Sequence, residues 1–110
     1  MPEKHTRPYV IWVDFELDPA QAEAFDRMLV ENASTSLEQE PGCRRFDILR
    51  PIPTRASVSL YEIYDSEEAF QAHLASAHYR SFAAASASAI LSKQVRAFHL
   101  GLDPTSSEAP

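Results

Sequence analysis

Tyr9-Val-Ile-Trp-Val-Asp-Phe-Glu-Leu17 alternates, with Tyr9, Ile11, Val13, Phe15 and Leu17 on one side and Val10, Trp12, Asp14 and Glu16 on the other. That is the period-two pattern of a strand with one wholly apolar face. Asp18-Pro19 then offers an N-cap and a proline at the first helical position, and Ala22, Phe25, Leu29, Ala33 and Leu37 recur at helical spacing, so a long helix runs to about Glu40. Pro41-Gly42 stops it. Cys43 to Arg50 reads as a second strand with Phe46 and Ile48 on one side. Pro51 to Ala56 carries two prolines that cannot donate to a ladder and reads as a connection. Ser57 to Tyr64 is a third strand, with Val58, Leu60, Glu62 and Tyr64 sharing a face. Asp65 and Glu68 form a capping-box arrangement ahead of a second helix in which Phe70, His73, Leu74 and Ala77 align. A further helical stretch from about Tyr79 turns Phe82, Ala85, Ala89 and Ile90 inward, and a last strand spans about Gln94 to Leu100.

Strand, helix, strand, strand, helix, strand is the ferredoxin-like βαββαβ order. It predicts an α+β fold with a four-stranded antiparallel sheet and helices on one face. At 110 residues there is room for one core, placed over residues 9–102, with residues 1–8 and 103–110 read as loose polar termini. Helices cover one sheet face only, yet Val10, Trp12, Tyr61 and Ile63 belong to the other. A homodimer closed sheet to sheet is expected to bury that patch.

Composition narrows the function. A net charge of −6 leaves no surplus of Lys and Arg for nucleic acid or an anionic membrane, so neither is expected as a partner and a small-molecule substrate is. Glycine stands only at 42 and 101, too sparse for a phosphate or dinucleotide loop. No apolar run reaches the ~20 residues of a membrane helix, the N-terminus lacks the apolar stretch of a secretory signal, and the single cysteine, Cys43, cannot close a disulfide within the chain. The expected location is the cytoplasm. His73 and His78 stand five apart, on different sides of a continuous helix, so no metal site and no cofactor are expected.

The chemistry gathers on the layer between sheet and helices. Glu62 sits between Leu60 and Tyr64 on the face that meets the helices, and His73 lies between Phe70 and Leu74 on the helix face that docks there. The two are expected to meet, either as a structural tether or as a ligand-facing acid and base. Asn32, beside the apolar stripe of the first helix, can donate and accept at once. His78 and Tyr79 fall at a helix break, where side chains reach a pocket mouth.

The run Glu40-Pro-Gly-Cys-Arg-Arg-Phe-Asp-Ile-Leu-Arg50, with Leu60-Tyr-Glu-Ile-Tyr-Asp-Ser-Glu-Glu-Ala-Phe-Gln-Ala-His73 and Ala77-His-Tyr79, closely resembles the antibiotic biosynthesis monooxygenase domain over residues 9 to 100. Within that family the likeness is to quinol monooxygenases and to proteins that degrade the autoinducer-2 signal. The resemblance implies a ferredoxin-like homodimer with a cavity between helices and sheet. It implies cofactor-independent oxygenation of a small quinol, phenolic or other enolisable compound by molecular oxygen, or isomerisation or breakdown of a small phosphorylated sugar-like signal. A non-catalytic dimeric binding module is the alternative of another class. Carried over by position, Glu62 and His73 are the expected catalytic residues, and Asn32, Tyr64, His78 and Tyr79 the expected substrate-binding ones. Asn32 is followed by Ala33 where the signal-degrading members resemble one another in a histidine, a departure that weighs against sugar-phosphate chemistry. Asp14 or Glu16 and Tyr64 stand where haem-degrading relatives use asparagine and tryptophan, a departure that weighs against haem degradation.

Overall fold

The structure, a computed structural model, describes residues 7–101. Its elements are β1 (Tyr9–Leu17), α1 (Ala22–Gln39), β2 (Cys43–Leu49), β3 (Ser57–Tyr64), α2 (Glu67–Ala75), α3 (Ala77–Ser86) and β4 (Ile90–His99), with 3₁₀ turns at Pro19–Gln21 and Ala87–Ala89. The strands form one antiparallel sheet in the order β2-β3-β1-β4, the expected ferredoxin-like α+β architecture. Apart from Arg7 and Pro8, the expected loose termini lie outside the described residues.

Alternation decides which face is buried. Ile11, Val13, Phe15 and Leu17 on β1 and Val58, Leu60, Glu62 and Tyr64 on β3 are all buried. The β1–β3 register pairs Ile11 with Glu62 and Val13 with Leu60, so one continuous inner layer faces the helices. Phe25 on α1 packs edge-on against Phe15 at 5.1 Å and lies 5.6 Å from Phe82 on α3, which ties both helices to the sheet. Each such ring contributes about 1.5–3 kcal/mol of burial. Gly42 permits a close approach at the other end: a Cβ there would stand 2.6 Å from the Ala69 Cβ, so β2 and α2 meet through a missing side chain.

Several local expectations are corrected. The cap of α2 is Ser66, whose hydroxyl oxygen accepts from the Ala69 N–H at 3.1 Å, while Asp65 turns to Arg44 at 2.5 Å. The expected capping box with Glu68 is therefore replaced by a cap one residue later, since Asp65 is tied back through its own N–H to the Gly42 carbonyl. The helix break falls at Ser76, and Ala77 belongs to α3, not to the face of α2. On α3 and the turn after it the inward residues are Phe82, Ser86 and Ala89, with Ala85 exposed; an i, i+4, i+7 series from Phe82 runs through a serine that reads as polar in the sequence. Leu37 is 45% exposed for the same reason, because the α1 stripe from Leu29 passes through Ser36. β4 begins at Ile90, four residues before the expected Gln94, its early part masked by Leu91-Ser-Lys93.

Candidate active site

Between the sheet and the helices lies a cavity of about 270 Å³ whose walls include Asn32, Phe46, Glu62, His73, Tyr79 and Lys93. It is slightly below the ~300–1,000 Å³ typical of sites for drug-sized ligands, a volume suited to a small molecule. Beyond Ile90, β4 is exposed along its length, and Lys93 and Val95 form the solvent-facing side of the cavity where no helix covers the edge strand.

Glu62 projects from β3 into this layer and is 3% exposed. Its cross-strand neighbours are Ile11 and Phe46, so water and charge are scarce around it. The Tyr64 hydroxyl, two residues along the same face, donates to Glu62 Oε1 at 2.5 Å. Burial pushes the Glu62 carboxyl up to about 7, against the opposing pull of the Tyr64 hydrogen bond and the Lys93 charge. Burial likewise drives the Tyr64 phenol far upward, and the Glu62 charge adds to the shift, so Tyr64 stays a donor.

His73, in the last turn of α2, is equally buried. Its ring sits among Tyr79 (centroids 5.0 Å), Tyr64 (5.3 Å) and Phe46 (6.1 Å). Burial lowers its pKa, opposed by the hydrogen bond to Glu40, and the imidazole is neutral at pH 7. The partner of His73 is Glu40 and not Glu62: Nδ1 lies 2.8 Å from Glu40 Oε2 and 3.4 Å from Ser36 Oγ. Ser36 directs its hydroxyl proton to the Asn32 carbonyl at 2.8 Å, so Nδ1 carries the proton and points it at Glu40. Nε2 is then the lone-pair nitrogen. Among the described residues no hydrogen bond joins Glu62 to His73. They share the cavity wall without touching, because the helix end, folded over the sheet, supplies a nearer carboxylate.

His78 is also brought to Glu40. The Ser76 hydroxyl donates to the His73 carbonyl at 2.6 Å and accepts from the Tyr79 N–H at 3.2 Å, closing α2 and opening α3 at one residue. A helix break here is as expected, and it undoes the separation of His73 and His78 inferred from continuous helical spacing: His78 Nε2 bonds the same Glu40 Oε2 that His73 uses. Nitrogen and oxygen donors of Glu40, His73 and His78 therefore lie within 4.8 Å of one another, a donor set of the kind that could hold a metal ion and that the five-residue spacing of the two histidines did not reveal. Glu40 Oε1 is buried with no partner.

Of the other expected residues, Asn32 is 4% exposed, reaches the cavity and has an unpartnered Oδ1, and Tyr79 lines the wall. Two placements differ from expectation. Tyr64 stands behind Glu62 and His78 opens on a separate groove between α1 and α3, so neither forms the cavity wall. Sequence reading missed Glu40 and Lys93. Lys93 approaches the Tyr79 hydroxyl at 3.4 Å and lies 5.7 Å from the Phe15 ring centroid. A strand extended back through Val95 and Lys93 to face Val13 and Phe15 would have found it.

The family model for antibiotic biosynthesis monooxygenase matches residues 8–85. A solved structure from Nitrosomonas europaea, provisionally named an antibiotic biosynthesis monooxygenase, is similar at 28% identity with a TM-score of 0.84, covering 96% of this chain and all of that one. Structures of like provisional name from Bacteroides thetaiotaomicron (19% identity, TM-score 0.84, 93% and 97% covered) and Caulobacter crescentus (17%, 0.83, 89% and 93%) share the fold. The curated proteins give no match.

Proposed function

The chain belongs to the antibiotic biosynthesis monooxygenase family, and from that premise we propose that it is a cofactor-independent monooxygenase acting on a small quinol, phenolic or other enolisable compound. The observation that carries this reading is Glu62, a carboxyl held near 7 on the wall of a small, largely apolar cavity. A general base works best with a pKa near the operating pH.

In this reading Glu62 removes one hydroxyl proton of the substrate, and Tyr64 holds the carboxyl in place. His73, neutral and fixed through Nδ1 to Glu40, accepts a hydrogen bond from a second hydroxyl on Nε2. Asn32 and Tyr79 supply further polar contacts from the walls. The phenolate faces Lys93, the one lysine or arginine among the cavity residues, which stabilises the anion while electrons pass to molecular oxygen. For a hydroquinone one oxygen atom enters the ring as a hydroxyl and the other leaves as water, with all four electrons drawn from the substrate as it becomes a hydroxyquinone. The cavity offers a phosphorylated sugar a single lysine and no guanidinium, so the isomerase or lyase alternative draws no support from it.

We further propose that two copies pair through the outer sheet face, in the cytoplasm. Val10, Trp12, Tyr61 and Ile63 lie there, with Arg96 over Trp12 and Arg45 over Tyr61 and with Asp14 and Asp47 nearby. Apolar groups rimmed by both charge signs suit a self-complementary two-fold contact. Among the described residues no helix is long and apolar enough to cross a membrane.

The test of function is oxygen consumption with simple hydroquinones by protein stripped of metal, comparing wild type, His73→Ala and Glu62→Gln. Substrate-dependent uptake that falls at least tenfold in both variants supports the reading; equal rates in all three remove these residues from the chemistry.

A further inference from the structure

Glu40, His73 and His78 come from three segments: the C-cap of α1, the last turn of α2 and the first turn of α3. Their side chains converge on one carboxylate oxygen, Glu40 Oε2. The corner is rigid, since Ser76 caps both short helices and Ser36 braces the His73 ring. It is nearly dry, with the three side chains 3%, 13% and 17% exposed for His73, Glu40 and His78. Glu40 Oε1 is nonetheless buried without a partner, an arrangement that costs stability unless something neutralises it. Among the described residues no lysine or arginine pairs with Glu40. Two imidazoles and one carboxylate held by packing are the donor set of a late first-row divalent ion, with Zn–N near 2.0–2.1 Å and Zn–O near 2.0–2.2 Å.

We propose that Glu40, His73 and His78 form a site for one divalent cation of the zinc class, and that the bound ion switches the adjacent cavity off. The ion enters from the groove between α1 and α3, onto which His78 opens and where Glu31 supplies a carboxylate at the entrance. It takes the ring nitrogens that now face Glu40: Nδ1 of His73 and Nε2 of His78. Glu40 supplies the third bond, and a water the fourth position. Each ring stays neutral, its proton moving to the other nitrogen. For His73 that nitrogen is Nε2, which changes from acceptor to donor on the cavity side. The second hydroxyl of a quinol then loses its acceptor. Only this last consequence rests on the oxygenase reading; the site itself does not.

Zinc chloride titrated calorimetrically into metal-free full-length protein tests the site. One equivalent is expected to bind in wild type and in Glu62→Gln, with affinity lowered at least tenfold in Glu40→Gln and in His78→Ala. His78 opens on the groove between α1 and α3, so His78→Ala reports even if Glu40→Gln fails to fold. Nitrogen NMR of the His73 ring is expected to show the proton moved from Nδ1 to Nε2 on zinc addition. Binding unchanged in His78→Ala, or stoichiometric binding with the His73 tautomer unaltered, overturns the proposal. Oxygen uptake is expected to fall with zinc and return with a chelator. If the metal-free protein takes up no oxygen with any quinol while calorimetry and NMR behave as stated, the oxygenase reading fails and the site stands.

Discussion

Replacing Glu62 by glutamine changes how stability depends on pH, and the size of the change follows from where the carboxyl sits. Folding raises this carboxyl from 4.5 to about 7, through burial. Between those values the native state binds more protons than the unfolded chain, so stability falls as pH rises through the window. Taking the two values at face value, the penalty is under ~1 kcal/mol near pH 5 and about 3 kcal/mol near pH 8. Glutamine keeps the oxygen that accepts from the Tyr64 hydroxyl but has no proton to lose. Glu62→Gln is therefore expected to match wild type within ~1 kcal/mol near pH 5 and to exceed it by roughly 2–3 kcal/mol near pH 8. Urea denaturation of both proteins at the two pH values measures this, and taking the difference cancels the histidines and surface carboxylates common to both. A constant difference between wild type and Glu62→Gln across that range would show that Glu62 is ionised in the folded protein at neutral pH, and the raised carboxyl would have to be abandoned.

Gly42→Ala forces a Cβ to within 2.6 Å of the Ala69 Cβ, so it is expected to cost about 1–3 kcal/mol in thermal or urea unfolding; an unchanged midpoint would mean that α2 is free to move. Lys93→Met is expected to lower kcat for hydroquinone oxidation about tenfold or more, as befits loss of one donor to a developing anion, with Lys93→Arg recovering part of it in the same oxygen-electrode assay. Trp12→Asp is expected to convert a dimer to a monomer in sedimentation, without loss of the helical circular dichroism signal; a monomeric wild type would remove the sheet-to-sheet pairing.

β1 and β3 could be read from the sequence because each alternates over an inner face that is almost wholly apolar. Ser57–Tyr64 has the boundaries that its own pattern indicates, and a single carboxylate among Val58, Leu60 and Tyr64 marks itself as unusual. The second carboxylate of the site was not legible in this way. Glu40 ends a helix and precedes Pro41-Gly42, a context that reads as a stop signal, and only the docking of α2 brings His73 within 2.8 Å of it. His78 was read as a residue at a helix break, but its convergence with His73 was not, because five-residue spacing was taken as continuous helical rotation, which a single serine acting as both C-cap and N-cap removes. Ser36 and Ser86 are fully buried where polar side chains were not expected, and Ser36 sits there because its hydroxyl bonds the carbonyl one turn back while its oxygen faces His73. Lys93 was passed over because the last strand was expected to begin only at Gln94, whereas β4 starts at Ile90. Non-local packing decides Glu40 and Lys93, while the local double cap at Ser76 decides His78.

Isotope labelling tests the central claim most directly. Metal-free protein, with a chelator present, is incubated with a small hydroquinone under ¹⁸O₂, and the product is weighed by mass spectrometry. One labelled oxygen atom per product molecule, formed by wild type and strongly reduced in Glu62→Gln and His73→Ala, is the predicted result. Product carrying no label, or labelled product formed equally well by both variants, would contradict it.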